Sequence, residues 1–439
     1  MNSDTRNPAR LTQSERRAGF QLGAIVVCSS AFVTGAGAQS VLAPPPAEFS
    51  APSATPQVLD TNQPAAIVMN AAAPPPASAP EKPWLQFGPV QVHPHLLYRF
   101  MYGDGLQAAP GQQSKTVIEQ VYPGVLFRVG NHWSLDYTPT LSFYSSKNFK
   151  DTVDQAVNLT GGTVYQDWSF GLSQGYSSSS QPLVETGAQT DQQNYNTVLN
   201  ASYQMNGDLS LQMSANQNFT FVDQSSVAGQ PLNNSRTWST MEWLNDQVGP
   251  RVGLALGAGF GYDNVSTGAN MTHENVQGRV SGRLTGKISL VFSAGFEDRQ
   301  FLNSNASDSI NPIFSGSAIY LPFQNTTLSL SAARTVSPSL FQNQISTSTT
   351  VTAGLRQRLL GKLFLDLSGG YFASSYGATE SNLNVSRQDT GTFVNARIGT
   401  QFLKRGTAAV FYQHSENSSS QGGFGFTSSQ VGFELGYRL

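Results

Sequence analysis

One cysteine stands in 439 residues, and only 12 % of the side chains are charged. A single cysteine excludes a disulfide scaffold. A charge content near half the ~25 % usual for soluble domains excludes coiled coils and charge-rich disordered proteins. Lys and Arg (25) do not outnumber Asp and Glu (27), so the basic surplus needed for phosphate contacts is missing and a nucleic-acid binder is excluded. Apolar runs of about 18 residues, the requirement for a membrane-spanning helix, are absent beyond the N-terminal segment. Chemistry-bearing motifs are missing too. His93 and His95 share a face but have no carboxylate cluster beside them, and His414-Ser415-Glu416 is three polar residues in a row. No catalytic residue, metal or cofactor is expected. What the chain does have is 41 Gly, 26 Phe and 15 Tyr, in a background of Ser, Asn, Thr and Gln.

The N-terminus reads as an address. Arg6, Arg10, Arg16 and Arg17 precede an apolar stretch from Leu22 to Val33, and Ala36-Gly37-Ala38 supplies an A-x-A site before Gln39. These are the three parts of a secretory signal peptide, predicted over 1–38, and Cys28 would leave with it. Residues 39–83 form a second zone, with eleven prolines between Ser40 and Pro83 mixed with Ala. Such a composition predicts an extended arm that builds no core of its own.

From 84 to 439 the pattern has period 2. Ile288, Leu290, Phe292, Ala294 and Phe296 alternate with Ser289, Ser293, Gly295 and Glu297. Val431, Phe433, Leu435, Tyr437 and Leu439 alternate with Gln430, Gly432, Glu434, Gly436 and Arg438. The segments run about 10 to 14 residues, longer than soluble strands and long enough to cross a bilayer when tilted. Short turns (Asn206-Gly207-Asp208, Gly249-Pro250, Leu360-Gly361) alternate with longer polar stretches such as 103–115, 178–193, 222–236 and 374–389. Tight turns on one side and longer loops on the other are the layout of a transmembrane barrel. The predicted fold is all-β: a closed antiparallel up-and-down barrel of eighteen strands, with sixteen as the alternative count. The prolines at 94, 123 and 139 are expected to interrupt the first ladders. At a tilt near 40° such a sheet has a backbone diameter of roughly 35 Å, too wide for side chains to fill.

The terminal VGFELGYRL is similar to the C-terminal signal by which Gram-negative outer-membrane barrels are inserted, with Phe433, Leu435, Tyr437 and Leu439 on its apolar face. In size and layout the chain resembles the outer-membrane β-barrel porin families. The resemblance covers 84–439 and implies a passive diffusion channel for small hydrophilic solutes, contact with outer-membrane lipid and the insertion machinery, and a homotrimer. It carries no binding residues.

Alternation itself proposes the lumen charges. They include Arg99, Arg128, Asp136, Arg251, Arg299, Lys362, Glu434 and Arg438. An arginine-rich stripe of Arg279, Arg283, Arg356, Arg358 and Arg397 would face Glu297 and Asp366. Inward basic charge favours anions, so a mild anion preference is expected; mutual pairing of these charges is the competing reading. The stretch 178–193 is a candidate constriction carrying Glu185 and Asp191. Two other roles fit the same composition: an export or assembly component with a periplasmic partner on the proline-rich arm, and a surface-binding structural barrel.

Overall fold

A strand places successive side chains on opposite faces, so a period-2 segment is a ribbon with one apolar and one polar side. Many such ribbons bury their main-chain groups only by pairing edge to edge, and in lipid the sheet must close. The computed structural model describes residues 39–42, 84–223, 226–227, 229–381, 383–403 and 405–439. The predicted leader, Cys28 and residues 43–83 lie outside them.

Eighteen strands cross the wall. They are β1 (Val90–Ala109), β2 (Gln112–Val129), β3 (Trp133–Tyr137 continued by Thr140–Tyr144), β4 (Thr152–Tyr165), β5 (Trp168–Leu183) and β6 (Ala188–Gln204). Next come β7 (Leu209–Val222), β8 (Ser235–Gly249), β9 (Val252–Val265), β10 (Asn270–Arg283), β11 (Ile288–Leu302) and β12 (Ser309–Phe323). The circle ends with β13 (Thr326–Pro338), β14 (Gln344–Leu359), β15 (Leu363–Ala378), β16 (Gln388–Phe402), β17 (Gly406–Ser419) and β18 (Phe426–Arg438). Neighbours are antiparallel, and β18 pairs with β1 from His95↔Arg438 to Asp104↔Ser429. The result is a closed up-and-down transmembrane barrel of eighteen strands. The seam is covered by stacked rings, Phe100 on Phe433 at 5.4 Å.

The ladders are longer than the alternation predicts. β1 has 20 residues and β5 has 16. Stretch 103–115 is mostly a hairpin turning at Pro110–Gly111, and 178–193 is ladder except for 184–187. Hydrophobic alternation fades where neither face meets lipid, but main-chain bonding continues. The prolines disrupt less than expected. Pro94 and Pro123 keep their register. Pro94, which has no N–H to give, accepts from Leu439 N at 2.9 Å. The one gap, Thr138-Pro139 in β3, lies opposite Tyr122–Gly124, so Pro123 and Pro139 share it.

The outer wall is the lipid face. Leu256, Phe260, Val276, Phe296, Leu330, Val394 and Val410 are exposed there. A belt of rings follows its loop-side margin, in contact from Tyr176 to Tyr195, Phe221, Phe219, Trp238 and Tyr262. Trp168, Phe170 and Tyr203 group at the turn side. Aromatic girdles at both interfaces are expected of such barrels. Two clusters of buried apolar residues gather at the loop end, inside the mouth. Gln39–Leu42 sits there as well: Val41 is 1 % exposed, and Ser40 bridges Leu183.

Candidate functional site

Inward charges on neighbouring strands meet wherever the register sets them level. Arg356 stands opposite Asp366, and Asp366 opposite Arg397. Arg356 Nε approaches Asp366 Oδ1 at 3.5 Å, and Arg397 Nη1 approaches Asp366 Oδ2 at 3.4 Å. Arg397 also reaches across β17 and ion-pairs with Glu434 on β18. Small residues make that reach available, Ala409 facing Glu434 and Gly399 lying beside the Arg397 guanidinium. Glu434 in turn is 3.8 Å from Arg99 Nε on β1, and Arg99 lies 4.2 Å over the Phe411 ring. Five side chains thus form one chain of alternating charge across the inner wall from β14 to β1.

The remaining predicted residues take other places. Glu297 does not face the arginine stripe. It shares an inner face with Arg299 two residues along β11, and Arg299 Nε and Nη2 both donate to Glu297 Oε1 at 3.0 and 2.9 Å. Arg299 Nη1 donates to Asp263 Oδ2 at 2.7 Å, and His273 Nδ1 is 3.4 Å from the same oxygen. This buried group ties β9, β10 and β11 together. Arg279 donates to Gln212 at 2.8 Å and to Asn245, under a 4.3 Å stack on Trp243. Arg358 donates to Gly361 O at 2.9 Å from Nε, and Arg283 is exposed. Among the described residues, Arg279, Arg283 and Arg358 have no carboxylate in ion-pair contact, whereas Asp366, Glu434, Glu297 and Asp263 each have a guanidinium. Asp136 and Asp154, also inward and buried, likewise have no Lys or Arg in ion-pair contact among the described residues, so unpaired charge of both signs lines the inner wall.

The mouth is built from loops that cross it. Residues 184–187, between β5 and β6, reach the 339–343 loop between β13 and β14, nearly opposite on the circle. Glu185, half-buried, accepts from Ser339 Oγ at 2.6 Å and from Leu340 N at 2.8 Å. A small hairpin, Ser226–Val227 with Gln230–Pro231, lies in the β7–β8 connection. Its following residues join the same loop: Leu232 bridges Phe341, and Asn233 N donates to Leu340 O at 2.7 Å. Arg387 pins the assembly. Its Nε donates to Asp389 Oδ1 at 3.0 Å, its Nη1 donates to Glu185 O at 2.8 Å, and the guanidinium lies 3.9 Å over Phe424 and 4.7 Å over Tyr376. Burial pushes the Glu185 carboxyl up from its ordinary range, against the pull of its two donors.

Of the predicted constriction pair, Glu185 is in this seal. Asp191 is on the other side of the ladder from Gln192, whose buried amide donates inward to Ser179 Oγ at 3.3 Å. Arg387, Asp389 and Phe424 were not anticipated, since they fall in stretches without alternation. His414 and Ser415 point to opposite faces of β17: His414 meets Ser429 Oγ at 2.9 Å, while Ser415 is buried inside. The two cannot act on one substrate. Phe433, Leu435, Tyr437 and Leu439 share the outer face at the closing seam.

No family model matches the chain, and no curated protein matches it. Among solved structures it is similar to OccK11 (OpdR) of Pseudomonas aeruginosa, at 14 % identity and a TM-score of 0.40 over 79 % of this chain and 96 % of that one. It is similar to OccK2 (OpdF) of the same organism, at 11 % identity and a TM-score of 0.44 over 79 % and 98 % of the two chains. OccAB1 of Acinetobacter baumannii gives 12 % identity and a TM-score of 0.42 over 79 % and 97 %.

Proposed function

We propose that the protein is an outer-membrane channel for passive diffusion of small hydrophilic solutes, with a mild preference for anions. The observation that carries this reading is the inverted polarity of a single wall. The strands that present Leu367, Val394 and Val351 outward hold Asp366, Arg397 and Arg356 on the inner side of the same sheet. Apolar side chains outside fit hydrocarbon, and charged ones inside fit a hydrated lumen. An eighteen-strand circle is wider than its own side chains can fill, so passage is limited by the loops rather than by the wall. Arg279, Arg283 and Arg358, inward and without a carboxylate in ion-pair contact among the described residues, support the anion preference. Phe433, Leu435, Tyr437 and Leu439 suit recognition by the insertion machinery, as an apolar outer face at the closing strand.

Planar-bilayer recording of the purified protein tests the proposal. Stepwise conductance is expected, with a reversal potential on the anion side in a salt gradient. The triple variant Arg279→Gln, Arg283→Gln, Arg358→Gln is expected to move that potential toward zero. A protein that inserts and never conducts, even after the loop seal is loosened, overturns the channel reading. Cation preference in the parent overturns the selectivity reading alone.

A further inference from the structure

The inner wall is polar along most of its length, yet one region of it is not. Near the mouth Met101, Ile118, Phe372, Phe411 and Phe426 all face inward and are buried. An apolar lining in a hydrated tube is unfavourable unless something covers it. Here the cover is Ser40–Leu42, with Val41 and Leu42 buried in the same cluster. The contact is more than apolar. Val41 N donates to Pro182 O, and Val184 N donates to Gln39 O, each at 2.9 Å, so the segment adds to the edge of the β5–β6 hairpin as an antiparallel strand. Gln413 on β17 and Gln430 on β18 both donate to Val41 O, at 3.3 and 2.9 Å. Ser40 Oγ donates to Gln181 Oε1 at 2.8 Å. Main-chain bonds along an edge, with pockets for particular side chains, make up a known mode of peptide recognition.

We infer that the loop-side lumen contains a peptide-binding cleft, occupied by the protein's own Gln39–Leu42, and that this occupancy holds the channel in a low-conductance state. The ligand class follows from the contacts: an uncharged extended peptide with a small hydroxyl residue followed by two aliphatic ones. No charged group of the barrel meets the segment in these contacts, so an acidic residue at position 41 or 42 would lose apolar cover without finding a partner. The leader cleavage expected after Ala38 makes Gln39 a free end, which enters a closed ring more readily than an internal loop. The gating half of this inference rests on the channel reading; the cleft does not.

The test has two arms, both on the full chain expressed with Cys28→Ser, so that the introduced thiols have no native competitor before or after leader removal. The first is Ser40→Cys with Leu183→Cys. The two positions face each other as a non-hydrogen-bonded pair, whose Cα separation of about 4.5 Å suits a disulfide. Spontaneous cross-linking, read as a mobility shift reversed by reductant, is expected. Free thiols in the folded barrel overturn the cleft. The second arm is Val41→Asp with Leu42→Asp, which should raise mean conductance at least about tenfold. The synthetic peptide Gln-Ser-Val-Leu-Ala added on the loop side should then lower it again, while Gln-Ser-Asp-Asp-Ala should not. If the disulfide forms but the acidic variant conducts like the parent, the segment docks without controlling passage and the gating half is overturned. If the disulfide forms and neither chain conducts under any condition, the channel reading falls and takes the gating with it.

Discussion

Arg387→Met isolates the seal from the wall. In the parent the guanidinium is buried, ion-paired to a buried Asp389, bonded to Glu185 O and stacked on Phe424. Removing one partner of a buried ion pair costs about 3–5 kcal/mol, because the other charge stays behind without compensation. The lost stack and carbonyl bond belong to the same event and are not added to that figure. A value near 4 kcal/mol corresponds to roughly a thousandfold change in an equilibrium constant. That energy falls on the closed mouth. Arg387 joins residues of the 184–187, 379–387 and 420–425 connections, whereas the β15–β16 ladder begins one residue later, at Ser375↔Gln388. The variant should therefore keep the heat-modifiable gel migration of a folded barrel. Single-channel recordings should show the closed-to-open ratio falling by two to three decades, as an order of magnitude from that buried-pair figure. Replacing the pair by apolar residues, Arg387→Met with Asp389→Leu, should restore most of the closed state, since a buried pair exchanged for packed hydrophobes is close to neutral. A folded Arg387→Met barrel with parental gating would refute the assignment of this cluster as the clasp of the mouth.

Two further outcomes follow from the same geometry. The Glu185 carboxyl is held above its ordinary value by burial, so the folded mouth binds its proton more tightly than the opened one. The sign is then fixed: closure is favoured at acid pH and weakens as pH rises through the raised value, so open probability should climb from acid toward neutral pH. Glu185→Gln should flatten that profile in a bilayer titration, and an unchanged profile in the variant would remove Glu185 as the sensor. On the outer wall Glu242 points to the lipid side between Met213 and Ala258, a charge where hydrocarbon is expected. A second copy of the chain against this wall would shield it. Glu242→Arg should leave the barrel folded and shift its light-scattering mass in detergent to that of one chain; an unchanged mass would exclude this wall as the interface.

The wall was legible in the sequence because each part of the evidence is local. Alternation in Ile288–Leu302 fixes which side of β11 meets lipid without reference to any other strand, and the count of turns narrows the number of strands to eighteen or sixteen. The inward placement of Arg356, Asp366, Arg397, Glu434 and Arg99 follows from the same rule. Which of them pair does not. The contact between Arg397 and Glu434 depends on a register that sets them near one level across an intervening strand, and on Ala409 being small enough to leave the space. The Glu297–Arg299 pair, two residues apart on one face of a single strand, is readable from alternation alone.

The mouth was illegible for a different reason. Arg387, Phe341, Phe424 and Glu185 lie in connections where no face is committed to lipid, so period carries no information, and their contacts join segments up to about two hundred residues apart. The same holds for Gln39–Leu42. Its composition reads as the start of a mobile arm, and only the inward apolar patch of Met101, Ile118 and Phe411 gives it somewhere to go. Yet that patch is itself a sequence signal. In a barrel whose lumen is wet, an aromatic or aliphatic residue at an inward position contradicts the rule that placed it there. Phe372, Phe411 and Phe426 are three such contradictions on strands β15, β17 and β18. Inward apolar residues that converge at one height of a hydrated tube therefore mark the place where something must lie inside, and the branched pair Val41-Leu42 has the shape and polarity to meet them.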